Sequence, residues 1–286
     1  VLQKIENTEK LKYPKHKINV IWVTDGSDDG TNLLLEKQNN LQLFHQSERR
    51  GKIHAINRVM PHVKTPIVVF TDANTELGEN SILHIVDAFR DENVGCVSGE
   101  KRIVNKIADT AAGTGEGLYW KYESKLKKLD AELYSAVGAV GELFAIRTEL
   151  YSEVEADTLL DDFIISLRIA QQGFTIQYRP EAYAFEKASA NVKEELKRKI
   201  RISAGGIQSI LRLLPLLNIF NYGIFSFQYI SHRVLRWTVS PFFLFLLIPI
   251  SASMAYQEGF ESYSFYNLFF WIQLCMYASV VVGWLQ

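Results

Sequence analysis

Up to Ile207 the chain alternates short, continuous apolar runs with segments of helical periodicity, the pattern of buried strands covered by helices. Ile18–Thr24 and Ile67–Thr71 are the clearest strand signals, and Phe174–Tyr178 is a third. A helix is expected from Thr31 and another after Lys52, where Ile53, Ile56 and Met60 recur at helical spacing. Gly113–Asp130, carrying Tyr119, Trp120 and Tyr122, reads as a helix with most of its aromatics in the core. A further helix opens at Asp161 and Asp162, puts Phe163, Leu167 and Ala170 on one face, and is capped by Gly173. Glu132–Arg147 contains Gly138 and Gly141 just before an expected strand start, where a backbone without side chains allows close approach.

Past Arg212 the pattern changes. Leu213–Gln228 is apolar and aromatic but broken by Pro215, Asn218, Asn221 and Gly223, as befits a segment lying in a membrane interface. Thr238–Tyr256 and Tyr266–Leu285 follow as two uncharged stretches, each long enough to cross a hydrocarbon core of roughly 30 Å. Pro241 and Pro249 in the first stretch are tolerated in lipid far better than in a soluble helix.

The chemistry sits at strand ends, where open α/β sheets bind their ligands. The strand at Ile67 ends in Asp72-Ala73-Asn74, a carboxylate and an amide two residues apart. Hard divalent cations are held by one or two such oxygens together with substrate phosphates. The strand at Ile18 ends in Asp25-Gly26-Ser27-Asp28-Asp29-Gly30, an acidic turn suited to ribose hydroxyls or the N–H groups of a base. It lacks the Gly-Lys-Ser/Thr of a Walker loop and the Gly-x-Gly-x-x-Gly of a dinucleotide fold, which argues against a kinase, an ATPase or a dehydrogenase. Arg49, Arg50 and Lys52 gather at a helix start, where basic groups oppose the dipole unless an anion joins them. In the Asp161-Asp162 pair one acid can cap the helix while the other points into a cleft as a general base.

Together these segments resemble the family 2 glycosyltransferases, inverting enzymes of the GT-A fold that include cellulose, chitin, hyaluronan and poly-N-acetylglucosamine synthases. The resemblance covers most of Ile18–Ile207 in the family's order: an Asp-Gly-Ser turn, a Gly-Lys segment before a helix, an Asp-x-Asp-like element, and a late acid pair. It implies a Rossmann-like, mostly parallel mixed sheet and a Mg²⁺ or Mn²⁺ cofactor. Residue by residue, it implies that Asp25 contacts uridine, Lys52 lies near the nucleotide, Asp72 with Asn74 holds the metal, and Asp162 is the catalytic base beside Asp161. Two departures stand out. Asn74 replaces the second aspartate of many relatives, and Arg198-Lys199-Ile200-Arg201-Ile202 stands where processive synthases carry Gln-x-x-Arg-Trp. Arg201 keeps a diphosphate-binding role, Arg198 replaces the glutamine in the same substrate-binding stretch, and Ile202 replaces the aromatic acceptor platform.

The expected organisation is a transferase domain over 1–207, an interfacial segment over 208–235, and two spans within 236–286, with the first strand of the GT-A domain missing ahead of Val1. The expected partners are a UDP-sugar, a glycan or lipid-linked acceptor, and a lipid bilayer. With 31 basic against 32 acidic residues nothing points to nucleic acid. Two cysteines, Cys96 and Cys275, are too few for a disulfide framework or a cysteine metal site. Arg233 and Arg236 precede the first span while Gln257–Ser264 has no base, which puts the catalytic domain in the cytoplasm of a multi-pass membrane protein. Two alternatives are non-processive transfer of one sugar to a lipid or lipid-linked acceptor, and a membrane subunit that binds a sugar nucleotide without turning it over.

Overall fold

The structure, a computed structural model, describes residues 1–104, 111–187, 192–260 and 263–285. The chain divides into two compact units, Val1–Ile230 and Ser231–Gln286. In the first, helix α1 (Leu2–Glu9) leads to strand β1 (Ile21–Asp25), helix α2 (Thr31–Glu36) and strand β2 (Gln42–Gln46). β1 and β2 run parallel, with Ile21 opposite Gln42 and Asp25 opposite Gln46. Helix α3 (Lys52–Val59) then connects to a second sheet of five strands.

That sheet has the order β3 (Ile67–Thr71), β6 (Leu143–Arg147), β5 (Val94–Val104), β7 (Thr175–Lys187), β4 (Glu76–Leu77). It is mixed, as expected, but antiparallel contacts are more frequent than the apolar runs implied. β5 and β7 are parallel, whereas β3–β6, β5–β6 and β4–β7 are antiparallel. An apolar run reports burial on both faces and carries no information on strand direction. β1 and β3 do not pair with each other among the described residues, so the strands form two sheets.

β6 lies inside the larger sheet between β3 and β5, with Leu143, Phe144, Ala145 and Ile146 fully buried. Strand alternation sends Leu143 and Ala145 to one face, where they join Ile85, Ala88 and Phe89 around helix α4 (Ser81–Ala88). Phe144 and Ile146 face the other way, toward the layer of helix α6 (Asp161–Gln171), which buries Phe163, Ile164, Leu167, Ile169 and Ala170. α6 ends with Gln172 as its cap, one residue before the expected Gly173, which follows at φ +92°. Helix α5 (Ala111–Leu133) turns Glu123, Lys127 and Asp130 inward, at helical spacing, while Tyr122 is exposed. The expectation that most of its aromatics fill the core therefore fails at Tyr122, and Tyr119 lies outside the residues whose side chains are described.

Helix α7 (Val192–Arg212) packs on the segment that leads into α6: Gln208 accepts from the Leu159 N–H at 3.0 Å, and Arg212 binds Asp157 at 2.7 Å. After it come α8 (Ile219–Tyr222) and α9 (Ile224–Tyr229). In the second unit, α10 (Leu235–Glu258) and α11 (Phe265–Leu285) are joined by Ser251 donating to Gln273 at 2.7 Å and Tyr277 donating to the Leu244 carbonyl at 2.9 Å. The helical runs Ile224–Glu258 and Phe265–Gly283 are both long and apolar enough to cross a membrane.

Candidate active site

Register brings the strand-end residues together. Thr71, the last residue of β3, lies opposite Leu143, the first of β6, so Asp72 and the Gly141-Glu142 pair emerge at one edge of the sheet. β1 ends at Asp25, and its carboxylate accepts from the backbone N–H groups of Arg50 (3.0 and 3.1 Å) and Gly51 (2.6 Å). Gly26 adopts φ +67°, and a Cβ there would lie 2.7 Å from the Arg49 Cβ. The acidic turn and the basic segment before α3 are thus one folded corner, with Asp25 as the fastener that presents Lys52 at the first position of the helix.

Lys52 is the hub. Its ammonium lies 3.0 Å from Asp72 Oδ1 and 3.1 Å from Asp161 Oδ2. Burial works against its charge, but Asp161, Asp72 and then Asp162 outweigh that, and its pKa is raised above the ordinary lysine value. A lysine tied to two carboxylates holds its charge at this corner of the site.

Asp161 and Asp162 begin α6, whose N-cap is Leu160 and has no side-chain cap bond. The expectation that one acid caps the helix is therefore corrected: Asp161 spends its carboxylate on Lys52. Asp162 is half-buried, and its carboxyl is pushed up to about 7, first by desolvation and then by Asp161 and Glu142, against the pull of Lys52 and of the Phe163 N–H. It lies over Gly141, where a Cβ would be 3.2 Å from Asp162 Oδ2. Its backbone is held as well, because Ser166 Oγ donates to the Asp162 carbonyl at 2.7 Å and accepts from the Ala139 N–H at 3.0 Å. Gly138, at φ +94°, leaves the space that the Phe163 ring fills. A carboxyl that titrates near neutrality is matched to general-base work.

The Asp72 loop is closed by Thr75, whose hydroxyl donates to the Asp72 carbonyl at 2.9 Å. Beneath it lies Lys4 of α1, a residue that sequence reasoning did not single out. Its buried ammonium donates to Thr71 Oγ1 and the Thr75 carbonyl, both at 2.9 Å. Burial lowers its pKa to about 8, partly offset by Asp72 and Glu76. The signal was faint: one lysine in a charged, polar opening segment.

Asn74 is exposed and Asp72 is half-buried. No group of three or more His, Cys, Asp or Glu is arranged as a metal cage among the described residues. The donor set is one carboxylate and one amide, all hard oxygen, which fits a cation that takes most of its ligands from a diphosphate. Arg198 and Arg201 lie on α7, with Arg198 held by Glu195 at 2.7 Å and 5.9 Å from the Trp120 ring, and Arg201 exposed. The structure therefore gathers Lys52, Asp72, Asp161 and Asp162, fastens Asp25 to the same corner, and leaves the two arginines on a separate helix.

Residues 1–205 match the model of the glycosyltransferase-like family 2. The chain belongs to that family. Poly-beta-1,6-N-acetyl-D-glucosamine synthase of Staphylococcus aureus is 26% identical over 216 residues, 73% of this chain and 52% of the relative. Beta-monoglucosyldiacylglycerol synthase of Trichormus variabilis is 27% identical over 179 residues, 57% of this chain and 36% of that protein. The chain thus spans about half the length, or less, of the curated relatives it matches. Among solved structures, a Pyrobaculum calidifontis mannosyltransferase in complex with GDP-mannose and Mn²⁺ superposes with a TM-score of 0.66 at 22% identity, covering 98% of this chain and 82% of that one. S. aureus TarS, in complex with UDP-GlcNAc, gives 0.52 at 15%, covering 84% and 72%. These likenesses place the family 2 chain in the GT-A fold, an α/β architecture.

Proposed function

We propose that this family 2 chain is the catalytic part of a membrane-bound, metal-dependent, inverting transferase. It moves a sugar, with N-acetylglucosamine or glucose favoured, from a UDP-sugar to a growing polysaccharide. The observation that carries the reading is the single cluster in which Lys52 bridges Asp72 and Asp161 next to the neutral-range Asp162.

Asp162 takes the proton of the acceptor hydroxyl as that oxygen attacks the anomeric carbon. The bond from that carbon to the diphosphate oxygen breaks on the opposite face, and UDP leaves with the electron pair. One displacement inverts the configuration. Lys52 meets the negative charge that develops on the leaving diphosphate, and Asp25 shapes the corner in which uridine sits. Asp72 and Asn74 would hold Mg²⁺ or Mn²⁺, which supplies further charge neutralisation at the phosphates. Arg201 reaches the diphosphate from α7, with Arg198 in the same stretch.

The membrane part of the reading is supported by the exposed apolar faces. Between Leu211 and Phe227 the chain buries Leu213, Leu216 and Phe225 but exposes Leu211, Leu214, Ile219, Phe220, Ile224 and Phe227, with Phe220 95% exposed. Such a face suits a headgroup boundary, and α10 and α11 would then cross the bilayer with the catalytic domain on the cytoplasmic side.

Ile202 in place of an aromatic platform favours a second reading, transfer of a single sugar to a lipid or lipid-linked acceptor. Incubating membranes that contain the full-length protein with labelled UDP-sugars, and sizing the product, separates the two. A ladder or high polymer supports the synthase, one shifted lipid spot supports single transfer, and no incorporation from any donor overturns both.

A further inference from the structure

A second charge cluster adjoins Asp162. Glu142, the residue after Gly141, enters β6 with its carboxylate 2.6 Å from the Lys101 ammonium. Lys101, on β5, also pairs with Glu186, near the end of β7, and lies 4.8 Å from the Trp120 ring of α5. β5 sits between β6 and β7, which is why one lysine reaches acids from both neighbours. The Lys101 side chain is 4% exposed, whereas Glu142 and Glu186 retain 16% and 23%. Desolvation of the lysine is outweighed by the two carboxylates, so it stays charged.

The position of this cluster argues for a use beyond stability. A buried ion pair is no better than packed apolar residues of the same volume for holding a fold together. Here the carboxylates remain partly open, and Glu142 is one residue from the glycine on which the base rests. Its charge reaches Asp162 directly. Hydrogen-bonding groups held rigid by a neighbouring charge recognise hydroxyls well and penalise an apolar ligand that leaves them unpaired.

We propose that Lys101, Glu142 and Glu186 form an acceptor-positioning subsite, and that the acceptor presented to Asp162 there is a hydroxyl-bearing sugar ring and not a bare lipid alcohol. The proposal rests on the transferase reading above and narrows its acceptor class. It treats Glu142 as a specificity residue whose carboxylate orients a ring hydroxyl while a neighbouring hydroxyl attacks.

The test uses the full-length protein in detergent with labelled UDP-N-acetylglucosamine and UDP-glucose as donors. The acceptors are N-acetylglucosamine, glucose and dioleoylglycerol. The wild type is expected to use the sugars and to leave dioleoylglycerol untouched. Glu142→Gln should raise the KM for the sugar acceptor by about tenfold or more, with the donor KM changed by less than about twofold, since a lost substrate hydrogen bond acts on the ligand that makes it. The triple variant Lys101→Met, Glu142→Met and Glu186→Met removes all the charges of the cluster at similar volume. It should keep the wild-type melting temperature and show the same acceptor defect, which separates positioning from folding. An unchanged acceptor KM in both variants, a defect confined to the donor KM, or ready use of dioleoylglycerol overturns the inference while leaving the transferase reading in place. A folded wild type that consumes no sugar nucleotide with any acceptor overturns that reading, and this inference with it.

Discussion

Asp162 concentrates the residue-scale chemistry. Its carboxyl is raised from the ordinary aspartate range to about 7 by burial, by Asp161 and by Glu142, with Lys52 and the Phe163 N–H pulling the other way. As a base it works only when ionised, so kcat/KM should climb as pH rises through about 7 and level off above it. Asp162→Asn should lower turnover by about a hundredfold to ten-thousandfold and leave donor binding near wild type, read by a transfer assay beside titration calorimetry. Stability should move with the opposite sign. A carboxyl whose folded pKa lies above its unfolded value binds more protons in the native state, so its contribution is present below about 4 and is lost as pH rises toward about 7. The Asn variant should therefore melt higher than the wild type at pH 8 and show no such gain at pH 4.

At the scale of elements, the site depends on how α1, β3 and the Asp72 loop are joined. Lys4 leaves α1 to donate to Thr71 and Thr75 beneath Asp72, so a helix far away in sequence sets the loop that carries Asp72. Lys4→Ala would take the donor from the buried Thr75 carbonyl, a cost of about 1–3 kcal/mol, while the Thr71 and Thr75 hydroxyls keep their bond to each other. Thermal melts should show the loss, and the donor KM should rise while the pH profile set by Asp162 keeps its midpoint. A variant with wild-type stability and donor KM would remove Lys4 from this role.

For the whole molecule, metal and membrane are the two dependencies to measure. Asn74 brings no charge to the cation, so Asp72→Ala should weaken donor binding and raise the Mg²⁺ or Mn²⁺ concentration needed for half-maximal rate. Chelator should silence the wild type, and added cation should restore it; indifference to chelator would refute the metal assignment. Orientation can be read with single cysteines in a background where Cys96 and Cys275 are replaced. Tyr263→Cys, in the base-free loop, should react with an impermeant thiol reagent outside intact cells, and Glu92→Cys in the transferase domain should react only after the membrane is opened. The reverse pattern would place the donor site on the other face.

The local elements were legible because they are written in single residues and short periods. The runs at Ile21–Asp25 and Ile67–Thr71 are strands, Thr31 and Lys52 open helices, and Asp161 and Asp162 begin one. The uncharged stretches after Arg233 are helices as well. What the linear chain could not show is who meets whom. The directions of the strands, the pairing of Lys52 with Asp72 and Asp161, the support of the Asp72 loop by Lys4, and the Lys101–Glu142 pair beside the base all join residues distant in sequence. Periodicity records which face of an element is buried, whereas contacts between side chains and the pKa values they set depend on register and burial, which exist only once the sheet and its helices have closed around them.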